Sequence, residues 1–398
     1  MEELEVKKTL KFKAKPLSNK DGELLNYLIT EYNKLVRKCL LYAKYSRIYV
    51  KPSKSRLHKL TYTRLRCEFD LHSNHITSAR DMVIETIKAS AYHKVFPNPK
   101  RLLPVRLFRG KTYCLDSDGL VRIVVKPRIY AYIRLLGAEE WFRLLELARG
   151  ALLIKKDNEY YLHVVLKKEF HPPKSIDYVI GIDTNLDNLT LSCINVRSGE
   201  VIVHHNISLR HIVGKRIYYR NRRAHLQSIG KSTQKESAVC RVVLEQVVEE
   251  ILKFVRPYMP KCIVAIEELK GIRDKLIKRS KRKDKKYLYS TTFYKRLLKR
   301  IKEKLEWEGI RVVEVSPEYT SIICSNCGRR GYRCGKMYSC PYCGLITNAD
   351  LNASINIAKR AIPQFLPSLK QGVSVRLSHA LNNLKKYVKE VEDSCKKT

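Results

Sequence analysis

Two Cys-x-x-Cys pairs, Cys324-Ser325-Asn326-Cys327 and Cys340-Pro341-Tyr342-Cys343, stand twelve residues apart in the chain. They restrict what this stretch can become. Each pair presents two thiolates from one tight turn, Gly328 and Gly344 permit the turn geometry, and four thiolates complete a tetrahedral shell around one Zn²⁺. A closed four-sulfur shell leaves no position for water, so the expected ion is structural. Five of the 12 cysteines fall between Cys324 and Cys343, a clustering that reads as metal binding in a reducing compartment and not as a disulfide framework. Cys334, between the pairs, reads as a spare thiol. The other seven are scattered, several of them inside apolar runs as small buried hydrophobes.

Charge narrows the partner. Of 398 residues, 79 are Lys or Arg and 39 are Asp or Glu, a formal net charge of +40, which calls for a polyanion. Nucleic acid is the leading candidate. An anionic membrane surface is the competing sink, yet no apolar run approaches the roughly 18 residues that span a bilayer, so no membrane partner is expected. The opening run MEELEVKKTLKFKAK is charged throughout and does not read as a signal peptide. The expectation is a cytoplasmic, nucleoid-associated protein of two or three domains, since domains usually run to about 100–200 residues.

The apolar pattern changes period along the chain. Glu5–Ala14 reads as a strand. Leu25, Leu28, Tyr32, Leu35, Cys39 and Tyr42 recur at helical spacing, as do Ile76, Ala79, Val83, Ile87 and Ala91, with a stop at Pro97-Asn98-Pro99. From Val105 to Leu166 the period is that of strands (Lys111–Leu115, Leu120–Val125, Ala151–Lys155, Tyr160–Leu166), with hairpin turns at Asp116–Gly119 and Asp157-Asn158. This half reads as a helical insert in a small, strongly basic β domain. Beyond the stiff His171-Pro172-Pro173 come three strands, Tyr178–Asp183, Leu189–Asn195 and Val201–Ile207. A long helix opened by Thr233-x-x-Glu236 follows, then a strand Cys262–Glu267, a helix Phe293–Trp307 and a strand Ile310–Val315. This order is that of an RNase H-like α/β domain.

Three acids stand where a phosphodiester-cleaving metal site needs them. Asp183 and Glu267 each end an apolar strand, and Asp350 opens the helix Asp350–Arg360 just after the second Cys pair. If the two strands are sheet neighbours, the carboxylates converge. Such a cluster is costly unless cations neutralise it, and Mg²⁺ prefers an all-oxygen shell. Two Mg²⁺ ions about 4 Å apart activate a water and stabilise the leaving 3′ oxygen. Taken singly, each acid has an ordinary reading. An Asp at a strand end commonly holds a turn, an Asp opening a helix is commonly its N-cap, and Glu268 equals Glu267 on composition.

Gly181-Ile182-Asp183 with Asn185 and Asn188-Leu189, Ile266-Glu267-Glu268-Leu269, Tyr319-Thr320-Ser321, the Cys pairs, and Asp350-Leu351-Asn352-Ala353-x-Ile355-Asn356 resemble, in order and spacing, the TnpB (OrfB) family of transposon-encoded proteins. The likeness spans about Tyr178 to Lys359, and before Val105 it is one of layout only. It implies an RNA-guided DNA endonuclease related to type V CRISPR effectors, with a RuvC-type RNase H-like domain. Asp183, Glu267 and Asp350 match the family's catalytic acids and would hold Mg²⁺, two ions in all. The family's Glu-polar-Leu pattern selects Glu267 over Glu268. Cys324, Cys327, Cys340 and Cys343 would hold one structural zinc. The implied division is a β-barrel-like wedge domain (1–18 and 101–172) carrying a helical recognition insert (19–100), a nuclease domain (173–320 and 347–362) with an inserted zinc ribbon (321–346), and a tail (363–398). The implied partners are a guide RNA from the transposon end and double-stranded target DNA, bound by one protein copy. The chain departs from the commoner family form at Thr184-Asn185, where Leu-Gly is frequent, and its second long helix carries fewer basic residues than usual.

Three basic segments extend this reading. Lys275–Lys286 holds eight Lys or Arg in twelve residues, Tyr45–Arg66 mixes tyrosines with bases, and Arg210–Arg223 opens a helix suited to a nucleic-acid channel. Phosphate contacts position a strand without reading it. A solvated loop is the plain alternative for the first. Three rival functions differ in what they require. A regulator with a decayed nuclease would be expected to have lost an acid, a strand-transfer transposase needs a 3′-hydroxyl nucleophile and no guide, and a zinc-ribbon component of transcription or the ribosome leaves the acids without a purpose.

Overall fold

The computed structural model describes residues 4–365 apart from 92–95, 100, 138, 172, 174, 186, 232–234 and 269–292. The Thr233-x-x-Glu236 cap, the Lys275–Lys286 run and the segment 366–398 lie outside these residues. The chain forms two compact units, Glu5–Glu169 and the residues from Phe170 onward. Among the described residues, no helix is long and apolar enough to cross a membrane.

In the first unit, β1 (Leu4–Pro16) leads into α1 (Asn19–Tyr45), α2 (Lys54–Glu68) and α3 (Ser73–Ala91). Six strands follow: β2 (Val105–Phe108), β3 (Tyr113–Leu115), β4 (Leu120–Lys126), β5 (Ile129–Leu136), β6 (Ala148–Lys156) and β7 (Glu159–Phe170), with one short helix, α4 (Glu139–Phe142), between β5 and β6. The seven form one sheet in the order β2-β6-β7-β1-β5-β4-β3. Its end strands are consecutive in the chain and bridge at Arg109↔Tyr113, which brings the two ends of the sheet together there. The hairpin β6–β7 turns at Asp157 (φ 50°) and Asn158 (φ 62°), the doubly positive φ that a two-residue turn between twisted strands requires. Ser18 caps α1 by accepting the Asp21 N–H at 3.2 Å, and Asp21 Oδ1 accepts the Tyr132 N–H of β5 at 2.8 Å.

Two elements are not singled out by the sequence pattern. The basic stretch Tyr45–Arg66 runs into α2, which buries only Leu57, Thr61 and Leu65. Three inward positions in 15 residues are too few to stand out as an apolar face. Strand β5 lies inside the stretch Val105–Leu166 read as strands but is not among the runs named there, because Tyr130, Tyr132 and Leu136 face solvent, which masks the inward alternation of Ala131, Ile133 and Leu135.

The second unit is built on a five-stranded sheet, order β10-β9-β8-β11-β12, from β8 (Tyr178–Thr184), β9 (Asn188–Asn195), β10 (Val201–Ser208), β11 (Cys262–Glu267) and β12 (Arg311–Val315). The first three form an antiparallel meander, and β11 runs parallel to both β8 and β12. The helices are α5 (Arg210–Ser228), α6 (Lys235–Val255), α7 (Phe293–Trp307) and α8 (Ala349–Phe365). Alternation along the strands sends Ile180, Ile182, Val264 and Ile266 into one core with α6 and α7, while Val179, Ile263 and Ala265 meet α8 on the opposite face.

That parity places the site. Gly181 and Ala265 are register partners on adjacent strands, and between them they leave a trough in which the α8 backbone lies. A Cβ on Gly181 would stand 2.0 Å from the Ser354 carbonyl oxygen and 2.7 Å from the Ala358 nitrogen. Both are backbone atoms and cannot turn aside. Gly181→Ala is therefore expected to destabilise the second unit by about 3 kcal/mol or more, as overpacking against rigid neighbours does. Urea denaturation tests this, and an unchanged midpoint would contradict the packing.

Three short strands, β13 (Tyr332–Cys334), β14 (Met337–Ser339) and β15 (Ile346–Asn348), make the antiparallel ribbon that precedes α8. Its small core is Cys324, Tyr338, Cys340 and Ala349. Tyr338 is fully buried and donates to the Ile322 carbonyl at 3.2 Å. Too little apolar surface is gathered here to hold a fold without help.

Candidate metal centres

The four ribbon sulfurs of Cys324, Cys327, Cys340 and Cys343 lie within 4.8 Å of one another. The pairs Cys324–Cys343 and Cys327–Cys340 are each 3.5 Å apart. Four sulfurs at 2.3 Å from a tetrahedral zinc are about 3.8 Å apart, so the set is gathered closely enough to hold that ion. Cys334 is exposed on the hairpin and stands outside the set.

On the sheet, residues 179, 181 and 183 of β8 and residues 263, 265 and 267 of β11 share the α8 face, because side chains alternate. Asp183 and Glu267 therefore leave adjacent parallel strands on the side where α8 begins, and Asp350 is the second residue of α8. The helix is capped by another residue. Asn348 Oδ1 accepts the N–H groups of Asp350 and Leu351 at 2.8 and 3.3 Å, which leaves the Asp350 carboxylate free to face the strands. Asp183 is 6% exposed and Asp350 2%.

Each carboxylate is held by a neutral donor. Asn185 donates to Asp183 Oδ2 at 2.7 Å, Thr320 to Glu267 Oε1 at 2.7 Å, and Asn188 to Asp350 Oδ2 at 3.1 Å. Arg333, from β13 of the ribbon, reaches Asp350 Oδ1 at 3.1 Å, and Lys336 stands 4.0 Å from Oδ2. Burial, and after it the charges of Glu267 and Asp350, push the Asp183 carboxyl up to about 7. Burial also raises Glu267, against the Thr320 hydrogen bond and the Arg360 charge. The all-oxygen donor set, the unfavourable crowding of acids and the buried, unpartnered Asn188 Oδ1 fit a hard divalent cation. The three acids are spread more openly than the four thiols, which are the group of potential ligands drawn within 4.8 Å among the described residues.

The raised Asp183 value makes a stability prediction. A carboxyl whose folded value lies above its unfolded one favours the fold below the unfolded value, and that contribution is lost as pH rises through the folded value. With zinc supplied and no other divalent ion, Asp183→Asn is expected to raise Tm by an amount that is negligible near pH 4 and greatest above pH 7. Thermal melts of both proteins across this range check it, and a shift that does not grow with pH would contradict it.

The ribbon and the helix are joined by a stripe of α8. Asn352 donates to the Ile323 carbonyl at 2.7 Å and accepts the Ser325 N–H at 2.8 Å, Asn356 donates to the Thr320 and Ile323 carbonyls at 2.8 and 2.7 Å, and Lys359 donates to the Ser325 carbonyl at 2.5 Å. The first Cys turn is thus fastened to the helix that carries Asp350.

A family model described as Cas12f1-like, TNB domain matches residues 294–357. A TnpB-like protein of Aquifex aeolicus is 31% identical over 238 residues, covering 52% of this chain and 76% of that protein. The chain belongs to the TnpB-like family. This TnpB-like chain is also 26% identical over 279 residues to the CRISPR-associated endodeoxyribonuclease Cas12f2 of a Micrarchaeota archaeon, covering 62% of this chain and 50% of that one. Among solved structures, a Cas12f1-sgRNA-target DNA complex aligns over 89% of this chain and 99% of that one, at 17% identity and a TM-score of 0.37, a level that carries no weight for the fold. Sequence reasoning on the TnpB-like motifs missed Arg333 and the capping role of Asn348. Arg333 lies in a run of basic residues with nothing to single it out, and only the hairpin fold turns it toward Asp350.

Proposed function

We propose that this TnpB-like chain is an RNA-guided DNA endonuclease, hydrolysing phosphodiester bonds in a RuvC-type RNase H-like domain into which the zinc ribbon is inserted. The observation that carries the reading is the shared face of Asp183, Glu267 and Asp350, fixed by strand parity and by the approach of α8 at Gly181. The relative named an endodeoxyribonuclease supports it, as does the net charge of +40.

Asp183, Glu267 and Asp350 would hold two Mg²⁺ ions, which when bound supply an activated water and charge neutralisation at the leaving 3′ oxygen. The chain's own residues prepare the site. Asn185 and Thr320 each occupy one oxygen of their carboxylate and leave the other directed by that hydrogen bond. Asn188 orients Asp350, and Arg333 brings a positive charge to the place where a phosphate must be received. The unit Glu5–Glu169 is proposed as the wedge domain, with α1–α3 as its recognition insert, holding a guide RNA from the transposon end. One protein copy, one RNA and a target duplex would make the working complex.

The test is to express the chain with its native flanking DNA, purify it and sequence the bound RNA. A discrete RNA from the transposon end is expected. Purification free of RNA would remove the guided mechanism and favour the transposase reading.

A further inference from the structure

The first unit contains a cleft that the nuclease reading does not use. It has a volume of about 430 Å³ and lies where the end of α2, the start of α3, the β2–β3 and β4–β5 turns and strands β3 to β5 come together. Arg66, Lys111, Arg122 and Arg128 line it, and none of its lining residues is acidic. Among the described residues no carboxylate pairs with these four cations. Arg66 donates to the Leu71 carbonyl at 2.9 Å, and Arg122 stands over the Tyr130 ring, 4.9 Å from its centroid. Four cations gathered without a counter-charge repel one another, so the cleft favours an anion.

The mouth of α3 adds to this positive character. The Asn74 N–H donates to His72 Nδ1 at 3.3 Å. A neutral His72 ring then carries its proton on Nε2, and burial together with Arg66 lowers its pKa and favours that neutral form. Ser73 begins α3, a helix of 19 residues whose N-terminus adds partial positive charge. Gly110, at the rim, has a positive φ of 74° with open space where a side chain would stand. Tyr130 is 36% exposed, and with Arg122 beside it offers a stacking surface.

We propose that this cleft binds one nucleotide of an unpaired nucleic-acid strand, the phosphate held by Arg66, Lys111 and Arg128 at the α3 N-terminus and the base stacked on Tyr130. A cleft of this size admits a single nucleotide, and the combination of phosphate-binding cations with one aromatic platform is what single strands require. The inference rests on the nuclease reading for the kind of partner and deepens it by naming where the first unit grips a strand.

The experiment measures binding of the full chain to labelled single-stranded RNA and DNA of about 12 nucleotides by fluorescence anisotropy across a salt series. Zinc is supplied and no other divalent ion, so nothing is cut. The triple variant Arg66→Ala, Lys111→Ala, Arg128→Ala is compared with a charge-matched triple at the exposed Lys51, Lys88 and Lys253. The cleft triple is expected to bind at least about tenfold more weakly, with a salt slope shallower by about 0.7, the contribution of one phosphate of a single strand. The control triple should lose much less. Tyr130→Ala should weaken binding about tenfold and Tyr130→Phe should not, because stacking needs only the ring. A loss confined to RNA assigns the strand to the guide, and one confined to DNA assigns it to the target. Equal losses in both triples, or no loss in the cleft triple, would overturn the proposal. Co-purification of a guide RNA is a separate readout, so either idea can fail without the other.

Discussion

Asp183→Asn is expected to reduce DNA cleavage by at least about a thousandfold, some 4 kcal/mol of transition-state stabilisation, while leaving the fold intact. The substitution keeps the shape of the side chain and removes the charge that a cation needs. Asp183 is buried and raised to about 7 with Glu267 and Asp350 nearby, so the neutral amide also relieves repulsion in the metal-free protein. Activity and thermal stability should therefore move in opposite directions above pH 7. Misfolding would lower both. Single-turnover cleavage assays run beside thermal melts on the same preparations decide the matter, and a variant that cuts within tenfold of the wild type would remove Asp183 from the chemistry.

Removing the zinc proposed for the four thiols should have the second largest effect, and through an indirect route. Structural zinc contributes on the order of 10–16 kcal/mol to the folding of small modules, and the ribbon's own core is one tyrosine, two cysteines and an alanine. Once the ribbon unfolds, α8 loses its Asn348 cap and Asp350 loses Arg333. The double substitution Cys324→Ser, Cys340→Ser is expected to lower cleavage at least about a hundredfold, since a carboxylate displaced by an ångström no longer serves the site. The far-ultraviolet circular dichroism of the two large sheets should persist. Cys334→Ser should leave both unchanged, because Cys334 lies outside the sulfur cluster. Full activity in the zinc-free double variant would show the ribbon to be a separate module.

Much of this architecture was written in periodicity. The apolar runs ending at Asp183 and Glu267 marked two central strands because a strand buried on both faces has no polar alternation. The spacing of the four cysteines disclosed the ribbon for a different reason, namely that a tetrahedral shell restricts sequence as strongly as it restricts geometry. What remained hidden depended on contacts distant in sequence. Nothing in the sequence says that Gly181 and Ala265 become register partners, yet their smallness admits α8 and so sets the depth of Asp350. An acid at a helix start reads equally as a cap or as a ligand, and only the Asn348 hydrogen bonds separate the two. Helix α2 and strand β5 were obscured because each spends its exposed positions on residues of the wrong kind for its pattern, bases in the helix and tyrosines in the strand.

The most direct test of the nuclease reading is guided cleavage. The chain, loaded with the RNA that co-purifies with it, is given Mg²⁺ and two supercoiled plasmids, one matching the guide segment of that RNA and one scrambled, beside Asp183→Asn as control. Linearisation of the matching plasmid alone, lost in the variant, is the predicted result. Equal cutting of both plasmids, or cutting that survives in Asp183→Asn, would contradict it.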